Sequence, residues 1–126
     1  MIRLLSIIAV GGAVGSVARY LAQLLVARHF AYPFPLGTLL VNVLGGLLIG
    51  FFYAAAERGT IASPELRLLL TTGFCGGFTT FSTFSYETLT LLTDGEYFFV
   101  ALYAAGSVLL GLLATFAGVA AVRLLY

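Results

Sequence analysis

A run of glycine, hydroxyl and phenylalanine residues, GGFTTFS at residues 76–82, lies inside a long hydrophobic stretch of the sequence. Hydrocarbon offers no hydrogen-bond partners, so polar groups and interrupted backbone within a membrane segment need partners and are frequently functional. The glycines and hydroxyls predict a break in a membrane helix. Such a break leaves free carbonyls on one half and free N–H groups on the other, and transporters use these groups to bind ions.

Rings and neutral donors around this run favour an anion as the ion. Phe74, Phe78, Phe81 and Phe84 are spaced by four, three and three residues, so we expect their rings to lie along one side. The edge of a phenylalanine ring carries partial positive charge that can face an anion. Hydroxyl groups donate hydrogen bonds without a fixed charge that would trap the ion. An aromatic core stripe is the common alternative for spaced phenylalanines, but the neighbouring hydroxyls of Thr80, Ser82 and Thr83 count against it.

Other hydrophobic stretches also carry polar residues at helical spacing. Thr38 and Asn42 are four residues apart, as are Tyr103 and Ser107, so each pair shares a helix face. Asn42 is the only asparagine of the chain. These side chains could join two helices by a hydrogen bond, or they could line a polar path, and we favour the path.

Two charged residues fall within hydrophobic stretches. Arg19 could extend towards the nearer membrane surface, or it could serve a structural or vestibule role beside a pore. Glu87 is the only acid inside a stretch. It could reach interfacial water or lie on the ion path, and a proton-coupled transporter would also centre on such a group.

The composition indicates that membrane helices are the elements that position these residues. Of 126 residues, 61% are hydrophobic and 9% are charged, whereas soluble domains carry about 25% charged residues. The chain has no lysine and a formal net charge of +1, which excludes a basic face for nucleic acid. Four stretches reach the roughly 20 residues that cross a bilayer, at residues 4–27, 36–56, 66–93 and 97–122.

Short connections separate the four predicted spans, so the whole chain forms one all-α domain with helices that run up and down. In the second connection Gly59 is a stop signal, Ser63 an N-cap and Pro64 the first helical residue.

Positive residues favour the cytoplasmic side. One side of the predicted bundle carries four arginines and the other carries only Arg28, and this weak bias makes insertion in both orientations plausible.

Three motifs resemble the Fluc (CrcB-type) family of fluoride channels. The most specific is GFCGGFTTFSTFS at residues 73–85, and GGAVG at residues 11–15 with Arg19 and GTLLVN at residues 37–42 also agree. The resemblance covers the whole chain in order, length and number of spans. It implies a channel in the cell (inner) membrane that exports fluoride down its gradient, built as an antiparallel homodimer of dual topology with a broken third helix.

The resemblance also implies roles for individual residues. Phe81 and Phe84 would be the pore phenylalanines, and backbone carbonyls of Gly76 and Thr79 would hold a central sodium ion. Arg19 matches a first-helix arginine of the family without an assigned role. The expected fluoride path carries the following side chains: Thr38, Asn42, Thr80, Phe81, Ser82, Thr83, Phe84, Glu87, Tyr103 and Ser107.

The main alternative is a small multidrug-type, proton-coupled transporter, which is also a compact four-span protein. Such a transporter would be expected to carry its essential acid in the first span, where this sequence has Arg19. A purely structural membrane subunit would explain the glycines but not Asn42 or the phenylalanine and hydroxyl path. An enzyme is disfavoured because no nucleophile, base and orienting group converge.

Overall fold

The computed structural model describes residues 1–30 and 33–126, and these residues form helices and no strand. Ala31 and Tyr32, which belong to the first predicted connection, lie outside the described residues. The elements in chain order are α1 (Ile2–His29), α2 (Leu36–Glu57), α3 (Pro64–Leu68), a π-helical segment (Leu69–Cys75), α4 (Gly76–Phe78), α5 (Phe81–Thr93) and α6 (Tyr97–Leu125).

Among the described residues, α1, α2 and α6 are each long and apolar enough to cross a membrane. They coincide with the first, second and fourth predicted spans and extend each of them by one to three residues at one or both ends. The outer surfaces of α1 and α6 expose large apolar side chains such as Val10, Val17, Leu112 and Phe116. Apolar exposure on this scale suits lipid rather than water.

Local signals in the connections act as the sequence predicts. Gly59 adopts a φ of 78°, a left-handed conformation that favours glycine, just after α2 ends. The Ser63 hydroxyl accepts a hydrogen bond from the Leu66 N–H at 3.3 Å, and Pro64 is the first residue of α3. Gly95 has a φ of 75° in the short turn between α5 and α6.

Glycines let pairs of helix backbones touch. A Cβ at Gly15 of α1 would collide with the Phe74 carbonyl oxygen and lie 2.9 Å from the Phe78 nitrogen. A Cβ at Gly50 of α2 would likewise collide with the Thr115 carbonyl of α6. Small residues permit this close packing in membranes, where helices gain little from hydrophobic burial. The bundle therefore has two tightly packed pairs: α1 with the π-helical segment and α4, and α2 with α6.

The region from Pro64 to Thr93, which contains the third predicted span, is composed of several short elements. The π-helical segment is seven residues long, and π-helical turns are uncommon and frequent at functional sites. Thr79 (φ −87°, ψ 157°) and Thr80 (φ −149°, ψ 112°) are extended between α4 and α5. We call these two residues the α4–α5 junction.

Candidate functional site

The Asn42 side chain binds the backbone at the α4–α5 junction. Its Oδ1 accepts a hydrogen bond from the Thr80 N–H at 2.7 Å, and its Nδ2 donates to the Thr80 carbonyl at 3.1 Å. Both backbone groups of one extended residue are thereby satisfied by one amide from α2. This matters because an unpaired backbone group in a buried, apolar setting is costly.

Thr80 also begins α5. Its Oγ1 accepts a hydrogen bond from the Thr83 N–H at 3.1 Å, which makes Thr80 the N-cap. The same hydroxyl donates to the Thr83 hydroxyl at 3.0 Å and lies 3.3 Å from the Ser82 hydroxyl. Three hydroxyls predicted along the path therefore cluster at the first turn of α5.

Arg19 contacts the other side of the junction. Its Nε donates a hydrogen bond to the Gly77 carbonyl at 3.1 Å, close to the end of α4. A cation is favourable at the C-terminal end of a helix, where carbonyls lack intrahelical partners. Arg19 therefore has a defined hydrogen-bond partner within the bundle.

A second cluster forms around Glu87. The Thr38 hydroxyl donates to Glu87 Oε1 at 2.6 Å, and the Tyr103 hydroxyl donates to Glu87 Oε2 at 3.1 Å. Tyr103 is fully buried, and Thr38 is 3% exposed. Three predicted path residues from α2, α5 and α6 are therefore joined by two hydrogen bonds.

Gln23 of α1 completes this cluster, and it was not among the residues predicted from the sequence. Its Nε2 donates to the Thr38 hydroxyl at 3.0 Å. The signal was available, since Gln23 is the only glutamine of the chain and lies inside the first predicted span. The cost of a polar group in lipid, which singled out Asn42, applies equally to Gln23.

Aromatic rings connect the Glu87 cluster to the junction. The Phe84 ring centroid lies 4.9 Å from that of Tyr103 and 5.8 Å from that of Phe81. Phe74 and Phe78 form a separate stacked pair, with centroids 5.5 Å apart. Phe81 is 79% exposed whereas Phe78 is 5% exposed, so the phenylalanines form two pairs in different surroundings rather than one continuous row.

One cavity borders the start of α5 and a second borders the junction. The first, of about 370 Å³, is lined by Gln23, Thr38, Thr83 and Glu87 with apolar side chains around Phe34. The second, of about 420 Å³, is lined mainly by small and hydroxyl residues that include Asn42, Gly76, Thr79 and Thr115. Thr79 of the junction lines the second cavity, and Thr83 of the first turn of α5 lines the first.

Ser107 of α6 is the remaining residue of the predicted path, and Cys75 is the one cysteine of the chain. The Ser107 hydroxyl oxygen is buried without a hydrogen-bond partner among the described residues, a state that costs free energy unless something binds there. Cys75 is 1% exposed, as expected of a small apolar residue. The described residues contain no group of three His, Cys, Asp or Glu side chains that could hold a metal ion.

Comparison with known proteins places this arrangement in a family. A family model described as "CrcB-like protein, Camphor Resistance (CrcB)" matches residues 6–119. The chain belongs to the CrcB family. Since the CrcB chain also has several apolar helices long enough to cross a bilayer, it is a multi-pass membrane protein.

Individual CrcB relatives match almost end to end. A protein of Geobacter sulfurreducens named "Fluoride-specific ion channel FluC" is 58% identical over 116 residues, which cover 92% of this chain and 94% of the relative. Proteins of the same name from Bacteroides fragilis and Chlorobaculum tepidum are each 54% identical over 112 residues. They cover 86% and 89% of this chain and 87% and 88% of their own lengths, respectively.

Proposed function

We propose that this protein is a passive, fluoride-selective ion channel that lets fluoride leave the cell down its electrochemical gradient and thereby limits its toxicity. The observation that carries the proposal is the 58% identity, over nine-tenths of the chain, to a protein named as a fluoride-specific channel. A channel needs no covalent chemistry, so the protein is not an enzyme.

The geometry supports an anion path between the two cavities. An ion in the first cavity would lie beside the Thr83 hydroxyl, whereas the one proton of the Thr38 hydroxyl is donated to Glu87. The rings of Phe84 and Phe81 lie on the same helix as Thr83, with centroids 5.8 Å apart. Ring edges and hydroxyl donors replace part of the water that a small anion must give up. We predicted Ser107 as a path residue, and its hydroxyl is buried without a hydrogen-bond partner among the described residues, so its proton is not committed to another side chain there.

Asn42 has a supporting place in this path. Both ends of its amide are engaged by the Thr80 backbone, so in this structure it fixes the junction. We predicted Asn42 as a path residue, and it borders the second cavity. A direct contact with fluoride would require Asn42 Nδ2 to share or release its bond to the Thr80 carbonyl.

We further propose that residues 66–93 make one membrane crossing interrupted at the junction, and that two copies pair antiparallel. Phe81 is 79% exposed beside the junction, and a second copy would cover that ring. A two-fold axis in the membrane plane would bring the two junctions together. The weak arginine bias of the sequence is compatible with insertion in both orientations.

A sodium ion at the centre of that dimer would be held by backbone carbonyls of Gly76 and Thr79. Both residues line the second cavity, and a Cβ at Gly76 would have its nearest neighbour 3.9 Å away, so the space beside it is open. Interrupted membrane helices coordinate sodium through unwound backbone carbonyls in this way. Bound there, sodium would supply positive charge at the junction and join the two copies.

The test is ion efflux from liposomes that contain the purified protein. Liposomes that contain the wild-type protein should release fluoride once an ionophore makes them permeable to potassium. No proton gradient should be needed. Phe81→Ile and Phe84→Ile should each abolish that release while the protein stays folded, because the ring edges are lost. Proton-coupled uptake of a lipophilic cation that disappears in Glu87→Gln would contradict the proposal and support the multidrug-type alternative.

A further inference from the structure

The hydroxyl of Thr38 behaves differently from most helical hydroxyls in this protein. The common pattern is a hydrogen bond to the carbonyl four residues earlier, which satisfies the hydroxyl locally. Eight side chains follow it: Ser6, Thr71, Thr79, Ser85, Thr88, Thr90, Thr93 and Thr115. Thr38 donates instead to Glu87 on another helix, at 2.6 Å, which is the shortest side-chain hydrogen bond in the described part of the chain.

Gln23 accounts for the direction of that bond. A hydroxyl has one proton to donate, and it can accept at its lone pairs. The Gln23 amide nitrogen can only donate, and it lies 3.0 Å from the Thr38 oxygen. Because Gln23 occupies an acceptor position of Thr38, the Thr38 proton is directed to the Glu87 carboxyl group, and the two bonds polarise each other.

From this arrangement we propose that Gln23 is a positioning residue of the ion path. It orients the Thr38 hydroxyl towards Glu87, and Thr38 together with Tyr103 then holds the Glu87 side chain against the wall of the first cavity. The inference rests on the proposed channel function, because it assigns a role within that path.

The effect of Glu87 on a passing anion explains why its position matters. Among the described residues that line the first cavity, Glu87 is the only one with a charged side chain. It also lines a neighbouring cavity that contains Asp94 and Glu96, so the charged groups facing Glu87 there are acidic as well. A carboxylate that swings freely into the cavity would repel an anion there. Two hydroxyl donors, one on each carboxyl oxygen, prevent that swing.

The test replaces the amide donor and keeps the size of the side chain. Gln23→Glu removes the N–H that directs Thr38 and offers an acceptor instead, so the Thr38 proton can turn away from Glu87. We expect fluoride efflux from liposomes to fall about tenfold, as expected for the loss of one polar interaction in a path. Gln23→Leu, which removes the donor without adding a carboxyl group, should lower efflux in the same direction. Leu25→Met, at an exposed position of the same helix, should leave efflux unchanged.

A double-mutant comparison separates positioning from a general structural role. If Gln23 acts only through Thr38, then Gln23→Leu should lower efflux in the wild-type background and have no further effect in a Thr38→Val background. Size-exclusion profiles of all variants establish that folded protein is compared.

Two results would overturn the inference. Unchanged efflux in both Gln23 variants would show that the amide does not position the path. Equal losses from Gln23→Leu with and without Thr38 would show that it acts elsewhere. A wild-type protein that releases no fluoride would overturn the channel function and this inference with it, whereas a conducting wild type with either result above overturns the inference alone.

Discussion

The chain on the two sides of the α4–α5 junction is held by different kinds of contact. Before the junction, the π-helical segment and α4 touch α1 backbone to backbone, at Gly11, Gly15 and Gly77. After the junction, α5 is joined to α2 and α6 by side chains, chiefly the hydrogen bonds of Glu87 to Thr38 and Tyr103. Most of α5 is exposed, and its one buried residue is Leu91.

This difference indicates a division of labour. Backbone contacts cannot adapt by changing a rotamer, so the region before the junction is a fixed scaffold. Side-chain hydrogen bonds hold a group only while the rotamers of both partners are kept, and each bond to a carboxylate contributes about 1.5–3 kcal/mol net. The region after the junction presents the rings and hydroxyls to the cavities and so suits the handling of an ion.

The largest expected effect comes from breaking the scaffold at Gly15. In Gly15→Ala the new methyl group collides with the Phe74 carbonyl, so we expect a loss of about 3 kcal/mol or more in the free energy of unfolding. Gly106→Ala is the matched control, since nothing lies within 4 Å of its Cβ position, and alanine favours a helix. Thermal unfolding in detergent measures the stability of both variants. Equal melting temperatures of Gly15→Ala and Gly106→Ala would contradict a rigid scaffold.

A smaller effect is expected where the two regions meet. Asn42→Leu removes both hydrogen bonds to the Thr80 backbone and leaves its N–H and carbonyl unpaired, which should cost about 2 kcal/mol of stability. Fluoride efflux should fall as well, because Thr80 begins α5 and positions Thr83. Leu44→Val, at an exposed site on the same helix, is the control. Wild-type stability of the Asn42→Leu protein would contradict this account, because it would show that the junction does not depend on the Asn42 amide.

The smallest effect is expected at the far end of the scaffold. Ser63→Ala removes the N-cap of α3 and should cost about 1 kcal/mol of stability while leaving efflux unchanged. Ser6→Ala removes a hydroxyl that bonds only to its own helix, so its melting temperature should stay at the wild-type value. A clear drop in efflux with Ser63→Ala would mean that scaffold and ion path are not separate.

Much of the fold could be predicted from local patterns. The three helices long enough to cross a membrane follow from apolar length, and the stop at Gly59 and the cap at Ser63 follow from residue chemistry. The position of Glu87 beside Thr38 and Tyr103 could not be predicted from the sequence. These residues lie on three helices, and their pairing depends on how the helices pack. The same holds for the bond from Arg19 to the Gly77 carbonyl, since no sequence spacing identifies a backbone partner 58 residues away.

The separation of the phenylalanines shows a further limit of spacing arguments. Spacings of three and four residues place rings on one face only while the helix continues. Because Thr79 and Thr80 are extended, the helix is interrupted between Phe78 and Phe81, and the spacing no longer places these two rings on one face. The sequence indicated an interruption, but it did not indicate where the rings would point on either side of it.

The most direct test of the central claim is the relative efflux of fluoride and chloride from the same liposomes, recorded with ion-selective electrodes after potassium permeability is supplied. If the path consists of ring edges and close hydroxyl donors, fluoride efflux from the liposomes should be much faster than chloride efflux. The fluoride efflux should not depend on a proton gradient. Comparable release of the two anions, or no fluoride release by folded protein, would contradict the account.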